Sequence, residues 1–234
     1  MKVIAHRGGN DKYPELTLDA ARYALENGAD YAEMDVRFTK DNVAVICHDD
    51  NAKGLFGLDK WIDQMTSEEF LKLKYISDPN YTGITFETLL KSGIASLLLH
   101  VKNGGPKLLK LLAYIRQYDY ENKVVIGVSS IQDVQIIKAF NANIPVLAFT
   151  PSQELIEDFI KADADIIRLW EGWVCADDVQ KIIMAEKKVW VMACRTSDYQ
   201  VGYPADGNIL KWRDMSVDGV LVNEVLKTKE VLIK

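Results

Sequence analysis

"YAEMDVRFTKDNVAVICHDD", residues 31–50, contains two apolar, strand-like runs, Tyr31–Phe38 and Val43–Cys47, with four residues between them. That gap is too short for the crossover helix a parallel pair requires, so the two runs are expected to form an antiparallel hairpin. With Val43–Cys47 set aside as a hairpin partner, eight runs remain: Val3–His6, Tyr31–Phe38, Ser96–Val101, Val124–Val128, Pro145–Phe149, Asp165–Leu169, Val189–Ala193 and Gly219–Val222. Several are continuously apolar rather than alternating, which is the pattern of parallel strands covered on both faces. Helical patterns separate most of them, at Thr17–Asn27, Pro106–Gln117, Ile131–Phe140, Ser152–Lys161, Ala176–Glu186 and Asn223–Leu232. Eight strand-helix units predict an α/β fold, a (β/α)8 TIM barrel, with an open doubly wound sheet as the alternative. The stretch 50–93, with Gly54, Gly57, Pro79 and Gly83, is too long for an ordinary connection. It predicts a small insertion after the second strand unit, carrying its own helix near Ser67–Leu73. No repeat, low-complexity tract or flexible linker interrupts the pattern, and residues 1–234 read as a single domain.

Composition narrows the function classes. The chain has 234 residues, 48% of them hydrophobic, enough for a full core, and a net charge of −6 that argues against a nucleic-acid partner. No run approaches the roughly 18 apolar residues of a membrane span, and Met1–His6 lacks the apolar core of a signal peptide. Cys47, Cys175 and Cys194 are odd in number and far apart, as expected of reduced thiols, so a cytoplasmic protein acting on a small-molecule substrate is predicted.

In a barrel of this kind the strand C-termini build the active site. All three histidines fall at such positions: His6 ends the first strand, His48 closes the hairpin, and His100 lies near the end of the third strand. Glu33 and Asp35 stand two apart on the second strand and therefore share a face, as do His100 and Lys102 on the third. Together with Arg7 these residues are expected to converge on one rim. Two carboxylates on one face of an apolar strand repel and lose hydration unless a cation or base lies between them. Gly8-Gly9 has neither P-loop nor dinucleotide-motif spacing, but leaves backbone room for an anion beside Arg7.

The stretch "AHRGGNDKYPELTLDA" resembles the signature of the glycerophosphodiester phosphodiesterase family, His-Arg-Gly followed by a Pro-Glu-Asn-Thr-like block. "EMDVRFTKDNVAVICHD" is similar to the family's Glu-x-Asp strand and closing His-Asp pair, "GITFETLL" to the block before its third strand, and "VDGVLVNE" to its last strand. The resemblance implies a (β/α)8 barrel and hydrolysis of glycerophosphodiesters to glycerol 3-phosphate and an alcohol. It places the acid and base on His6 and His48, the metal ligands on Glu33 and Asp35, and the phosphate contacts on Arg7 and Lys102. A divalent cation, Mg²⁺ or Ca²⁺, is implied with them. The chain departs from the family at His100, which stands where a third metal carboxylate is usual. An imidazole there favours Mn²⁺ or Zn²⁺, or else leaves a binder of phosphodiesters without metal. Leu16 and Asn223 replace an Asn and an Asp of the pattern. Lysophospholipase D activity is the nearest alternative, with Leu55, Phe56 and Trp61 available for an apolar groove. Among the aromatic residues of "RLWEGW" and "SDYQVGY", Trp170 is a candidate to face a choline-like cation, with Glu171 balancing its charge.

Overall fold

A computed structural model describes residues 1–195 and 198–233. Its elements in chain order are β1 (Lys2–Ala5), α1 (Leu18–Glu26), β2 (Tyr31–Phe38), β3 (Ala44–Ile46), α2 (Lys53–Phe56), α3 (Ser67–Leu71), α4 (Phe86–Lys91), β4 (Leu97–Val101), α5 (Leu108–Gln117) and β5 (Val124–Val128). They continue as α6 (Ile131–Phe140), β6 (Val146–Ala148), α7 (Ile156–Lys161), β7 (Ile166–Trp170), α8 (Ala176–Met184), β8 (Lys188–Met192), β9 (Cys194–Arg195), β10 (Gln200–Val201), α9 (Asn208–Asp214), β11 (Gly219–Val222) and α10 (Val225–Ile233).

Eight parallel strands close on themselves in the order β1, β2, β4, β5, β6, β7, β8, β11. Closure comes from β1, which pairs with β11 through Ile4↔Leu221 and with β2 through Ile4↔Tyr31. The open-sheet alternative is thereby excluded, and the fold is a TIM barrel. β3 runs antiparallel to β2, with Val36 opposite Ile46, so the hairpin forms as the spacing requires.

The continuous apolar runs serve two layers at once. On β4, Leu97, Leu99 and Val101 join the core between strands and helices, while Leu98 points into the barrel with Ile4, Val125, Leu147, Ile166, Trp190 and Leu221. Strand periodicity then fixes the next inward layer two residues on: His6, His100, Gly127, Phe149, Arg168, Met192 and Asn223. That layer is where the functional side chains begin.

Three helices lie outside the sequence expectation, the first being α2, a single turn that buries Phe56. α4 buries Phe86, Leu89 and Leu90 in the main core and so belongs to the barrel wall, although the stretch 50–93 was read as insertion. Before it, a smaller core gathers Val45, Cys47, Ala52, Phe56, Ile62, Met65, Phe70 and Tyr75. The helix expected near Ser67–Leu73 is α3, closed by a capping box in which Thr66 and Glu69 satisfy each other's backbone N–H groups. α9 follows the left-handed Gly207 and buries only Ile209 and Trp212, too little apolar signal to stand out in the sequence. Among the described residues, no helix is long and apolar enough to cross a membrane.

Candidate active site

The chain leaves β1 in an unusual conformation: Arg7, Gly8 and Gly9 all have positive φ, at 53°, 81° and 82°. Left-handed backbone costs a non-glycine residue about 1–2 kcal/mol. Arg7 is held there by its own peptide, whose N–H donates to Glu33 Oε2 at 2.7 Å and whose carbonyl accepts from Leu16 N at 2.7 Å. At Gly8 a Cβ would lie 3.3 Å from the backbone nitrogen of Ala21, so glycine also lets α1 pack close beneath the turn. Gly8-Gly9 is therefore the hinge that turns His6 and Arg7 over the barrel mouth.

His6 is nearly buried, and its Nδ1 lies 2.7 Å from Asn223 Oδ1. Asn223 Nδ2 donates to the Val201 carbonyl, which fixes the amide with its oxygen toward His6. That oxygen only accepts, so His6 Nδ1 carries a proton, and in the neutral tautomer the lone pair is on Nε2. His48 follows β3 and is half-buried; its Nδ1 lies 2.7 Å from Asp49 Oδ1, and its carbonyl accepts from Arg37 Nε. Burial pulls the His48 imidazole below its ordinary value, with Lys102 and Arg7 adding to the shift and Asp35 opposing it.

Glu33 and Asp35 project inward from β2 and are essentially inaccessible. His100 Nδ1 lies 3.1 Å from Asp35 Oδ1 and 3.7 Å from Glu33 Oε1, and Lys102 Nζ lies 3.1 Å from Asp35 Oδ1. Burial opposes the charge on Asp35, but Lys102 and His100 overcome it and hold the carboxyl well below the usual carboxylate range. Burial likewise opposes the charge on Arg7, and Glu15, Asp35 and Glu33 raise it nonetheless. Arg7 donates from Nη1 to Glu15 Oε1 at 2.9 Å.

Donor atoms of Glu33, Asp35 and His100 all lie within 4.8 Å of one another. Both Asp35 oxygens are buried without a hydrogen bond, the contacts to His100 and Lys102 being close but misaligned. Two hard carboxylates and one imidazole around unsatisfied oxygens fit a divalent ion.

One cavity of about 500 Å³ is lined by His6, Arg7, Glu33, Asp35, His48, His100, Lys102 and Trp170, while Glu171, Leu55, Phe56 and Trp61 lie outside it. Its far wall adds Phe149, Arg168 and Met192. The His100 ring stacks on Phe149 with centroids 3.6 Å apart, and Phe149 occupies the space a side chain at 127 would need: a Cβ on Gly127 would fall 2.4 Å from Phe149 Cε2.

Arg168 was not anticipated from the sequence, although its place two residues beyond Ile166 on the inward face was available as a signal. Its guanidinium lies 4.4 Å from the Trp170 ring centre. Glu171, expected to balance a cation bound at Trp170, is turned away: its carboxylate accepts from Cys194 N, Ala205 N and Asn208 Nδ2. Of the other aromatic candidates, Tyr203 OH accepts from Asn10 Nδ2 and Tyr199 is fully exposed.

Residues 6–103 match the sequence profile of the glycerophosphoryl diester phosphodiesterase family. A glycerophosphodiester phosphodiesterase of Caldanaerobacter subterraneus subsp. tengcongensis is 31% identical over 139 residues, 53% of this chain and 56% of that protein. The match spans 56% of that relative's length and as little as 15% of other curated relatives, such as glycerophosphodiester phosphodiesterase 1 of Homo sapiens. Two crystal structures share the whole fold. A glycerophosphodiester phosphodiesterase from Parabacteroides distasonis superposes with a TM-score of 0.81 at 18% identity, covering 99% of this chain and 96% of its own. A phosphodiesterase from Oleispira antarctica, in complex with the product sn-glycerol-3-phosphate, does so with a TM-score of 0.82 at 19% identity, covering 100% and 97%.

Proposed function

We propose that the chain is a member of the glycerophosphoryl diester phosphodiesterase family, whose profile residues 6–103 match, and that it hydrolyses glycerophosphodiesters to glycerol 3-phosphate and an alcohol, with a divalent metal ion. The observation that carries this reading is the shared cavity, in which two histidines with ordered Nδ1 partners face a Glu33–Asp35–His100 cluster flanked by Arg7 and Lys102. A phosphodiester is a monoanion with a poor alkoxide leaving group, so its hydrolysis needs charge neutralised at the non-bridging oxygens and a proton for the departing oxygen.

Glu33, Asp35 and His100 would hold the metal, which when bound supplies Lewis-acid charge to the phosphoryl group. The mixed oxygen and nitrogen set favours Mn²⁺ or Zn²⁺ over Mg²⁺ or Ca²⁺. Arg7 and Lys102 take the remaining phosphoryl oxygens. His6 acts as the base: its Nε2 lone pair accepts the proton of the attacking water as the new P–O bond forms. His48, whose protonated form Asp35 and Asp49 support against the burial that disfavours it, acts as the acid, giving a proton from Nε2 to the alcohol oxygen as the old P–O bond breaks. Trp170 walls the alcohol side.

The test is release of glycerol 3-phosphate from glycerophosphocholine and glycerophosphoglycerol by chelator-stripped protein, with Mg²⁺, Ca²⁺, Mn²⁺ and Zn²⁺ restored in parallel. Turnover that returns best with Mn²⁺ or Zn²⁺, and shifts toward Mg²⁺ in His100→Glu, supports the reading. Inertness with every metal, together with retained affinity for the diesters, would leave a binding protein instead.

A further inference from the structure

We propose that Arg168, with Phe149 and Trp170, forms a second anion subsite in this cavity, so that the preferred substrate is a phosphodiester whose alcohol half carries its own carboxylate or phosphate. The assignment to the alcohol half rests on the phosphodiesterase reading above; the anion subsite itself does not.

Arg168 is only 4% exposed, yet it lines the cavity. Its Nε and Nη1 are buried with no hydrogen-bond partner, and Nη2 makes one long bond to the Thr150 carbonyl at 3.3 Å. The other two cavity cations are balanced, Arg7 by Glu15 and Lys102 by Asp35. Arg168 has no carboxylate within ion-pair distance among the described residues, since the adjacent Glu171 spends its oxygens on Cys194, Ala205 and Asn208.

A buried guanidinium without a partner is disfavoured, and one layer below on the same strand the inward position is filled by Ile166. An apolar side chain would therefore pack here without penalty. The guanidinium repays its burial only when an anion reaches it, and its setting prepares it for one. Its central carbon lies 4.4 Å from the Trp170 ring centre, 5.5 Å from that of Phe149 and 5.7 Å from that of Trp173, and these neighbours leave little rotamer freedom to lose on binding.

Two further observations bear on what this charge would bind. Burial pulls the Arg168 guanidinium down to about 9, still charged at neutral pH, with no acidic group acting on it, whereas Glu15, Asp35 and Glu33 all act on Arg7. Arg168 already lies over one face of the Trp170 ring, so a quaternary ammonium held at that ring would meet a like charge.

The experiment is calorimetric titration of the metal-loaded protein with three ligands on one carbon frame: glycerol 3-phosphate, 3-phosphoglycerate and glycerol 1,3-bisphosphate. None is a diester, so binding is read without turnover. Wild type is expected to bind at least one of the two doubly anionic ligands about tenfold or more tighter than glycerol 3-phosphate, the scale of a charge-assisted bidentate contact. Whichever gains more tells carboxylate from phosphate. Arg168→Met should collapse that gap by weakening the doubly anionic ligands, and Arg168→Lys should keep part of it. No gap in wild type overturns the proposal without any variant having to fold. Equal weakening of all three ligands in Arg168→Met also overturns it, because that pattern puts Arg168 on the phosphate itself. A gap in protein that cleaves no diester would sink the phosphodiesterase reading and leave the anion subsite standing.

Discussion

The two sides of the cavity use the same strand periodicity for opposite electrostatics. On the β1–β2–β4 side, Arg7, Glu33, Asp35, His100 and Lys102 form a coupled set in which each charge lies near an opposite one. On the β6–β7–β8 side a single guanidinium sits among Phe149, Trp170 and Met192 with no counter-charge among the described residues. A coupled set fails as a unit when one member is removed, whereas an isolated charge fails only toward the ligand it contacts. Substitutions on the first side should therefore abolish turnover for every substrate, and loss of the Arg168 charge on the second should change which substrate is preferred.

The largest effect is expected at Asp35. Asp35→Asn keeps the shape but removes the charge that holds Lys102 and His100, and it takes one hard oxygen from the metal cluster. Turnover should fall by about 10³-fold or more, with all diesters affected alike. Initial rates on two head groups check this. A loss under tenfold, or one confined to a single head group, would break the division into a chemical side and a recognition side.

His6 and Asn223 separate a reacting group from the residue that orients it. His6→Gln should cost about 10²–10⁴-fold in kcat, the range for a general base. Asn223→Ala should cost less, about tenfold or somewhat more, because the imidazole remains but loses the partner that fixes its tautomer. Restoration of most of the rate by Asn223→Asp would show that the acceptor at Nδ1 is what counts; equal losses in His6→Gln and Asn223→Ala would show that Asn223 does more than orient.

Gly127 joins the two sides, since the Phe149 ring that stacks on His100 fills its space. Gly127→Ala must push that ring away, at a cost of about 2 kcal/mol, or roughly 4–8 °C in melting temperature for a chain of this size. If the stack also positions His100, the metal needed for half-maximal turnover should rise along with the lost stability. Unchanged metal dependence would make Phe149 packing alone.

The chemical side was legible in the sequence because its residues are titratable and closely spaced along strands: Glu33 and Asp35 two apart, His100 and Lys102 two apart, His6 and His48 at strand ends. The barrel was legible for a related reason, as continuous apolar runs with a single hairpin among them leave eight strands. The recognition side was not. Arg168 stands in "IIRLW" as a lone cation in an apolar run, and nothing local says that Glu171 beside it faces elsewhere; that depends on Cys194, Ala205 and Asn208, brought in from the following loop. Phe149 gains its place from an absent side chain at Gly127, on a different strand. α4 was hidden differently: its apolar trio Phe86, Leu89 and Leu90 has helical spacing but follows an insertion with a core of its own.

The smallest effect expected is at Trp170, and it bears on the comparison most directly. The ring is half-buried, lines the cavity and covers the Arg168 guanidinium, so Trp170→Ala removes a stacking face from a side chain that stays buried by its other neighbours. A contact of this kind is worth about 1 kcal/mol, which corresponds to a change of roughly threefold to tenfold in KM with kcat little altered. Because the ring already faces an internal cation, glycerophosphocholine and glycerophosphoglycerol should be affected equally, and their kcat/KM ratio should not move. A loss specific to the choline ester would mean that the ammonium competes successfully for that face, and the recognition side would then be an aromatic cation box in which Arg168 is displaced rather than engaged.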